Sequence, residues 1–321
     1  MIYELVQNAG GSLFALAGIL LAFAATVLGT AKLGQYLPKD GGREFAHDGK
    51  LSAGKPRGAG IIFVLVFAAA AFLFIPLQAE MTIYLILLVI CMLTGFLDDA
   101  SKTPWGEYKK GFLDLCVAAL VAMTFLKYNS SMVELALFHV RFVLHPVVFA
   151  LLAIVLVWGS VNVTNCADGV DGLSGTLAII TLMTIYMIDR VKDGPESFAY
   201  AILLFVVCIL GYLWFNATPS KLMMGDAGSR AMGLFISISI LKTGCPVLYL
   251  PVAIVLILDG GLGLLKVALI RFLKIHILKD VRTPLHDHVR KVWDWSNTQT
   301  VYRFAIIQII VSVAVIFGIQ A

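Results

Sequence analysis

Charged residues are scarce in this sequence of 321 residues. Only 14% are Asp, Glu, Lys or Arg, whereas 60% are hydrophobic and the mean hydropathy is +0.92. Soluble domains contain about 25% charged residues, so this composition excludes a soluble globular enzyme and a disordered chain. The net charge of +4 is too small to indicate nucleic-acid binding. The five cysteines lack metal-ligand spacing and are interpreted as buried apolar residues, not as a disulfide framework.

The hydrophobic residues form long continuous runs, which argue against the alternating pattern of a membrane β-barrel. A bilayer core of about 30 Å needs about 20 apolar residues of helix. The sequence therefore predicts an all-α polytopic membrane protein, with residues 1–321 as a single integral-membrane domain. We expect the first span to be retained, because the start of the chain lacks a basic segment and a cleavage site. Ten candidate spans, of which the third and the eighth are short, lie at about 13–31, 60–79, 82–97, 112–127, 143–161, 173–189, 199–215, 229–242, 247–270 and 302–320.

Lysine and arginine are distributed unequally along the predicted spans. In or at the edges of the odd-numbered connections lie 18 of the 24 basic residues, against 5 in the even-numbered connections. Because cytoplasmic loops are enriched in Lys and Arg, both termini are predicted to lie outside and the odd connections in the cytoplasm. Four polar clusters also lie in those odd connections, which suggests one site built from several loops.

The first cluster is the pair Asp98-Asp99 at the end of the third span, followed by Lys102, Lys109 and Lys110. Two carboxylates are poorly placed at a helix C-terminus, where the dipole favours cations. They are either a solvated helix end, or a metal site or general base beside lysines that bind an anionic substrate.

The second cluster, residues 162–172, contains Asn165, Asp168 and Asp171. Their spacing of three would put them on one helical face, although Gly169 and Gly172 allow a turn instead. A loop with aspartate caps is the alternative to a binding site. The ligand ladder and terminal Glu of an EF-hand are absent, which excludes that kind of calcium loop.

The third cluster, residues 216–229, contains Asn216, Gly225 and Asp226. Asp226 is either the N-cap of the eighth span or a metal ligand, with small residues that let a phosphate approach the helix N-terminus. The Gly-Lys-Ser/Thr of a P-loop is absent.

The fourth cluster, residues 282–288, contains Arg282, His286, Asp287 and His288. Two histidines without a partner Cys or Glu motif are weak evidence for zinc. The alternative is a surface helix whose basic residues touch lipid headgroups. Taken together, the clusters are rich in carboxylate oxygens, which favour Mg²⁺, and in cations suited to a pyrophosphate. They predict an enzyme that uses a phosphate-bearing donor at the cytoplasmic face.

From about residue 30 to the C-terminus, these motifs resemble the polyprenyl-phosphate N-acetylhexosamine-1-phosphate transferases, and in particular their muramoyl branch. The resemblance is carried by an ordered set of motifs: Leu97-Asp98-Asp99, Asn165-x-x-Asp168-Gly169-x-Asp171-Gly172, Asn216 with Met224-Gly225-Asp226, Pro284-Leu285-His286-Asp287-His288, and a tail from Trp295-Ser296 to Gln308.

The resemblance implies ten spans and a multi-pass protein of the bacterial cytoplasmic (inner) membrane, with its active site facing the cytoplasm. It implies the Mg²⁺-dependent transfer of phospho-MurNAc-pentapeptide from UDP-MurNAc-pentapeptide to undecaprenyl phosphate, which gives lipid I and UMP for peptidoglycan synthesis. The implied partners are these two substrates, membrane lipid and a second copy of the chain in a homodimer, and no nucleic acid.

The resemblance also implies roles for individual residues. Asp226 would ligate Mg²⁺, Asp98 would act as a base or orient the lipid phosphate, Asp99 would support it, and His286 would lie near the donor. Asn216 would help to order the metal site, and Asn165, Asp168 and Asp171 would contact the nucleotide or shape its pocket. The full set of expected substrate-binding residues is Lys102, Lys109 (or Lys110), Asn165, Asp168, Asp171, Asn216, Gly225, Arg282, Asp287 and His288.

Three departures from the family pattern bear on the branch. The family usually has three consecutive histidines where this chain has His286-Asp287-His288, and commonly a Glu where this chain has Arg290. The early Gly-rich segment contains Pro56-Arg57-Gly58, which is closer to the branch that transfers GlcNAc-1-phosphate. That branch is the alternative function, and a secondary transporter is a more distant one.

The ninth predicted span contains Asp259-Gly260-Gly261-Leu262-Gly263. The glycines would either permit a bend that opens a groove for the lipid tail or allow close helix packing. An aspartate within a span needs a polar partner. A transporter would place such groups at the membrane midplane, and only Asp259 and Lys266 are candidates for that position.

Overall fold

The computed structural model describes residues 11–42, 52–101, 103 and 105–321. Within them the chain forms a bundle of helices with one small hairpin. The helices are α1 (Gly11–Leu33), α2 (Gly60–Phe74), α3 (Ala79–Asp99), α4 (Glu107–Tyr128), α5 (Pro146–Cys166), α6 (Leu173–Val191), α7 (Glu196–Asn216), α8 (Gly225–Lys242), α9 (Pro246–Val252), α10 (Ile254–Leu273), α11 (Leu285–Val292) and α12 (Asn297–Gln320).

The all-α polytopic class is confirmed, whereas the count of ten spans is not. In the described part of the chain, seven helices are long and apolar enough to cross a membrane, or eight if the bent pair α9–α10 is one span. Helix α2 is apolar but has only 15 residues. Helix α8 has 18 residues and includes three charged ones, Asp226, Arg230 and Lys242.

Several boundaries differ from the sequence prediction. Helix α2 ends at Phe74 rather than near residue 79, because Ile75 precedes Pro76 and takes an extended conformation. The third span is not short, since α3 extends over 21 residues and includes both Glu80 and Asp98-Asp99. The connection before α5 contains a short antiparallel hairpin, in which β1 (Met132–Leu135) pairs with β2 (Val140–Val143).

The hairpin lies at the end of the bundle away from Asp98. Glu134 of β1 pairs with Lys192, which follows α6, and with Arg141 on the opposing strand. Residues 132–135 and 140–143 contain Val133, Val140, Phe142 and Val143, and β-branched and aromatic residues are enriched in strands. The predicted fifth span therefore begins at Pro146, later than residue 143.

Helix α8 is the centre of the bundle. Every residue from Gly225 to Leu241 is buried, and its main neighbours are α3 and α5. The backbones approach closely, because a Cβ built on Gly95 would lie 2.4 Å from the backbone oxygen of Asp226 and one on Gly233 would lie 2.5 Å from that of Ser160. Small residues thus let α8 fit between its neighbours, as in membrane helix interfaces.

The ninth predicted span is broken between α9 and α10, which meet at an angle of 70°. The break lies at Ala253, several residues before the glycines, for which a bend and close packing were the two alternatives. Gln308 of α12 satisfies the broken backbone, since its Oε1 accepts from the Val255 N–H (3.0 Å) and its Nε2 donates to Pro251 O (3.2 Å). The glycines instead serve close packing, because a Cβ on Gly260 would lie 2.1 Å from Val163 O.

We predict that Gly233→Ala lowers the free energy of unfolding by about 1–3 kcal/mol, the usual cost of overpacking, because the added methyl group meets the α5 backbone. Gly159→Ala is the matched control, since it is also helical but has nothing within 4 Å of an added Cβ. Thermal unfolding in detergent measures both variants. Equal midpoints for the two would contradict the close approach of α8 to α5.

Candidate active site

Asp99 accepts hydrogen bonds from the N-terminus of the central helix. Its Oδ1 accepts from the Asp226 N–H and its Oδ2 from the Ala227 N–H, both at 3.1 Å. The Asp99 carboxylate is disfavoured by the dipole of α3, because it lies at the C-terminus of that helix. Its contact with the positive N-terminus of α8 compensates for this. Gly225 has φ +67°, and a Cβ there would lie 2.2 Å from Asp99 Oδ2, so only glycine fits.

Arg57 links this carboxylate to Asp226. Its guanidinium lies 2.8 Å from Asp99, 3.3 Å from Asp226 and 3.5 Å from Asp40. Burial disfavours the charge of Arg57, but the nearby carboxylates, led by Asp99 and Asp226, outweigh it and raise the pKa above its ordinary value. From the sequence, Arg57 was interpreted only as part of the motif that distinguishes the two branches. The position of this basic residue inside a Gly-rich segment was the feature of the sequence that could have identified Arg57 as a site residue.

Lys110 is the lysine that enters the site. Its Nζ lies 2.5 Å from Asp98 Oδ2 and 3.0 Å from Asp226 Oδ2. The second oxygen of Asp98 accepts from the Trp105 N–H at 2.7 Å. Lys109 lies instead over the Trp105 ring, 3.3 Å from its centroid, and Lys102 lies outside the described residues.

Residues 162–166 form the end of α5 and residues 167–172 form a turn, so the cluster is not one continuous helical face. Helix α5 ends at Cys166, and Gly172 has φ +81°. Asn165 Oδ1 accepts from Ser229 Oγ of α8 at 2.8 Å, and Asp168 Oδ1 accepts from Ser174 Oγ at 2.7 Å. The first contact ties the end of α5 to α8 one turn below Asp226.

Asp171 and Asn216 connect this turn to the segment before α8. Asp171 Oδ2 accepts from the Ser220 N–H at 3.1 Å. Asn216 Oδ1 accepts from the Gly172 N–H, and its Nδ2 donates to Leu222 O, both at 2.9 Å. Asp226 itself lies within the first turn of α8 and is not its N-cap, which is Met224.

His286 is held by the intramembrane carboxylate Asp259. The His286 N–H donates to Asp259 Oδ1 at 2.7 Å, and Nδ1 lies 2.8 Å from Oδ2. Burial disfavours the imidazolium, but Asp259 outweighs it and raises the pKa of His286 above its ordinary value. The other ring nitrogen faces Gly169, where a Cβ would lie 2.2 Å from Nε2. The ring therefore contacts the turn that carries Asp168.

The remaining residues of the fourth cluster have different surroundings. Asp287 and Arg290 are buried in α11, with Arg290 Nη1 3.6 Å from Asp287 Oδ1. The expectation of a surface helix against lipid headgroups is therefore wrong for this face of α11. Arg282 is exposed, and its backbone N–H donates to His288 Nδ1 at 3.2 Å.

The donor set suits a divalent cation that takes further ligands from water and substrate. Three carboxylates (Asp98, Asp99 and Asp226) face the two cations Arg57 and Lys110. Among residues 11–42, 52–101, 103 and 105–321, no group of three or more His, Cys, Asp or Glu forms a closed metal site. Mg²⁺ does not require one, because it is usually held by one or two carboxylates plus phosphate oxygens. Asp98 and Asp226 share Lys110 and could supply those carboxylates.

Comparisons with known proteins identify relatives over most of the chain. Residues 81–244 match the family model described as glycosyl transferase family 4. A phospho-N-acetylmuramoyl-pentapeptide-transferase of Treponema pallidum is 41% identical over 295 residues, which cover 85% of this chain and 80% of that protein. Proteins of the same name from Symbiobacterium thermophilum and Thermotoga neapolitana are 28% and 26% identical, with 94% of this chain and 92% and 96% of theirs covered.

We predict that His286→Asn lowers stability most at low pH. A pKa raised above the ordinary 6.5 means that the ion pair with Asp259 contributes fully below about pH 6.5 and that this contribution is lost as the pH rises through the folded-state pKa. Thermal midpoints of the parent and the variant, measured in detergent from about pH 5.5 to 9, should converge as the pH rises. The exposed His276→Asn is the control, and a gap that is constant across this range would contradict the assignment.

Proposed function

Because this chain belongs to glycosyl transferase family 4 and, within it, to the phospho-N-acetylmuramoyl-pentapeptide transferases, we propose that it transfers phospho-MurNAc-pentapeptide from UDP-MurNAc-pentapeptide to undecaprenyl phosphate. The products are lipid I and UMP, and the reaction serves peptidoglycan synthesis. The observation that carries the proposal is the cluster of Asp98, Asp99, Asp226, Arg57 and Lys110 at the end of the bundle. It combines acidic oxygens with cations, as phosphoryl transfer between two anions requires.

We propose that Asp226 and Asp98 hold Mg²⁺. When bound, the ion would neutralise pyrophosphate charge. The three carboxylates outnumber the two cations that pair with them, so the cluster can accept a further positive charge. Asp99 is committed to the backbone of α8 and keeps Asp226 in place.

The proposed reaction is an in-line attack of an acceptor phosphate oxygen on the donor's β-phosphorus. A new P–O bond forms to the lipid phosphate, the bond from the β-phosphorus to the bridging oxygen breaks, and UMP leaves with that oxygen. The acceptor is already an anion at neutral pH, so Asp98 does not have to remove a proton from it and needs only to orient it through the Lys110 ammonium that it binds. Lys110 and Arg57 offset the repulsion between the two anionic substrates. This electrostatic stabilisation is the main contribution of the protein to the proposed reaction.

The lipid acceptor is supported by an apolar cavity of about 620 Å³ beside the break between α9 and α10. Its wall follows α5 from Phe149, beside the hairpin residues Val133 and Phe142, to Val163, two residues before Asn165, and also includes Leu250 and Ile257. A groove of this composition suits a polyprenyl chain whose phosphate lies at the cluster.

We propose that the cluster faces the cytoplasm, and the distribution of charge supports this location. The excess of Lys and Arg in the connections that carry the cluster favours the cytoplasmic side of the bacterial inner membrane. A homodimer stays a prediction from the family resemblance.

The GlcNAc-1-phosphate transferase is the second candidate function. It is favoured by the sequence Pro56-Arg57-Gly58, which is closer to the pattern of that branch. Arg57 of this motif contacts two carboxylates of the cluster. A transporter is disfavoured by the two ionisable groups within the bent span. Asp259 is bound to His286, and Lys266 Nζ donates to Leu278 O and Val281 O at 2.9 and 3.0 Å.

We predict that the purified protein, supplied with undecaprenyl phosphate and Mg²⁺, releases UMP from UDP-MurNAc-pentapeptide and not from UDP-GlcNAc. UMP is measured by chromatography, and the lipid product by mass spectrometry. The opposite preference would assign the chain to the second function, and uptake of substrate into proteoliposomes without UMP release would favour transport.

We predict that Asp226→Asn lowers UMP release by about 100-fold or more and that excess Mg²⁺ does not restore it, because even groups one step removed from a metal cost 10- to 100-fold when changed. Asp280→Asn, an exposed aspartate in the connection before α11, is the control and should retain activity. Turnover near the parent rate would remove Asp226 from the metal role.

A further inference from the structure

Two ion pairs of opposite polarity join α4 to α8, one helical turn apart. Lys110 and Asp114 lie on α4, and Asp226 and Arg230 lie on α8, with a spacing of four residues on each helix. In the outer pair, Lys110 Nζ lies 3.0 Å from Asp226 Oδ2. In the inner pair, Arg230 Nε lies 3.1 Å from Asp114 Oδ1, which also accepts from Arg230 Nη2.

The inner pair is buried and is not used in the proposed chemistry. The side chains of Arg230 and Asp114 are 1% and 3% exposed, and Arg230 Nη1 has no hydrogen-bond partner among the residues that the structure describes. Burying an ion pair costs desolvation, and apolar residues of similar volume often stabilise a protein as well or better. The best-attested benefit of such a pair is that it fixes register.

Helices α4 and α8 make few direct contacts with each other, because each packs mainly against α3 and α5. The shared neighbours hold both helices, and the two ion pairs link α4 directly to α8. These pairs therefore align the side chains of α4 with those of α8. A shift by one residue would move Lys110 by about 1.5 Å along the axis and rotate it by about 100°, which would break its contacts with Asp98 and Asp226.

We propose that Asp114 and Arg230 are positioning residues, which fix the register of α4 against α8 so that the Lys110 ammonium lies between Asp98 and Asp226. The inference rests on the proposed transferase function, in which Lys110 offsets phosphate charge. It assigns no contact with substrate to Asp114 or Arg230.

The test replaces the pair with apolar residues in the full-length protein, as Asp114→Leu with Arg230→Met. We expect kcat for UMP release to fall by about 10-fold or more, because small misplacements of catalytic groups cost up to about 100-fold. The KM for UDP-MurNAc-pentapeptide should stay within about 2-fold, and the thermal midpoint should not fall, because the apolar pair packs in place of the buried charges.

A variant cycle with Lys110→Met distinguishes positioning from a structural role. The inner pair is expected to act through Lys110. In that case, a variant with Lys110→Met, Asp114→Leu and Arg230→Met should have a kcat less than about 2-fold below that of Lys110→Met alone, since the effects of residues that act as a unit are not additive. The matched control is Glu80→Gln with Lys242→Met. This changes another largely buried pair, 2.9 Å apart at the opposite end of α3 and α8, and should leave kcat within about 2-fold of the parent.

An unchanged kcat in the double variant, or a full additional 10-fold loss in the Lys110→Met background, would overturn the inference. If the double variant does not fold, Arg230→Lys is tested in the same cycle, because it keeps the charge but loses the two-nitrogen contact with Asp114. It should lower kcat by about 3-fold or more, and only when Lys110 is present.

The parent protein, measured in the same assay, distinguishes failure of the proposed function from failure of this inference. Absence of UMP release from the parent would refute the proposed function. An active parent with unaffected variants would refute only this inference.

Discussion

The structure depends on how the buried N-terminus of α8 is satisfied. Every residue from Gly225 to Leu241 is buried, so water does not reach the N–H groups of the first turn, and an unpaired buried N–H is costly. Asp99 supplies the acceptors for Asp226 and Ala227. This single carboxylate requires glycine at position 225, fixes the end of α3 against the start of α8 and brings Asp98 beside Asp226.

Burial of Asp99 creates a second requirement, because a carboxylate removed from water needs a compensating charge. Arg57 meets it and extends the same guanidinium to Asp226 and Asp40. Lys110 does the same for Asp98 and Asp226 from the other side. The charges that hold the end of the bundle together are thus the groups that a phosphoryl-transfer site uses. The stability and the proposed activity of this protein cannot be changed independently at these positions.

Hydropathy was sufficient to locate the helices, because long apolar runs have few alternatives in a membrane. It did not establish ten spans, since α2 is short and α8 carries three charged residues that only the surrounding helices can shield. The four polar clusters were found as local patterns, but their partners came from distant segments. Arg57 was missed as a site residue and the pair Asp114–Arg230 was missed entirely, because each makes its contact across more than 40 positions of sequence. Lys109 and Lys110 could not be separated until the helical phase of α4 was known.

The bent ninth segment meets the same constraint in the interior of the bundle. A break in a membrane helix exposes backbone groups that lipid cannot satisfy, and here Gln308 binds both sides of it. Asp259, six residues beyond the break, has no water to pair with and instead accepts from the backbone and the ring of His286. The buried Asp259 carboxylate therefore anchors the connection that carries His286. Because the His286 ring contacts Gly169, this connection in turn supports the turn that carries Asp168. Loss of the Asp259 carboxylate would therefore release His286 without altering any residue of the charged cluster, so the two halves of the site have separate supports.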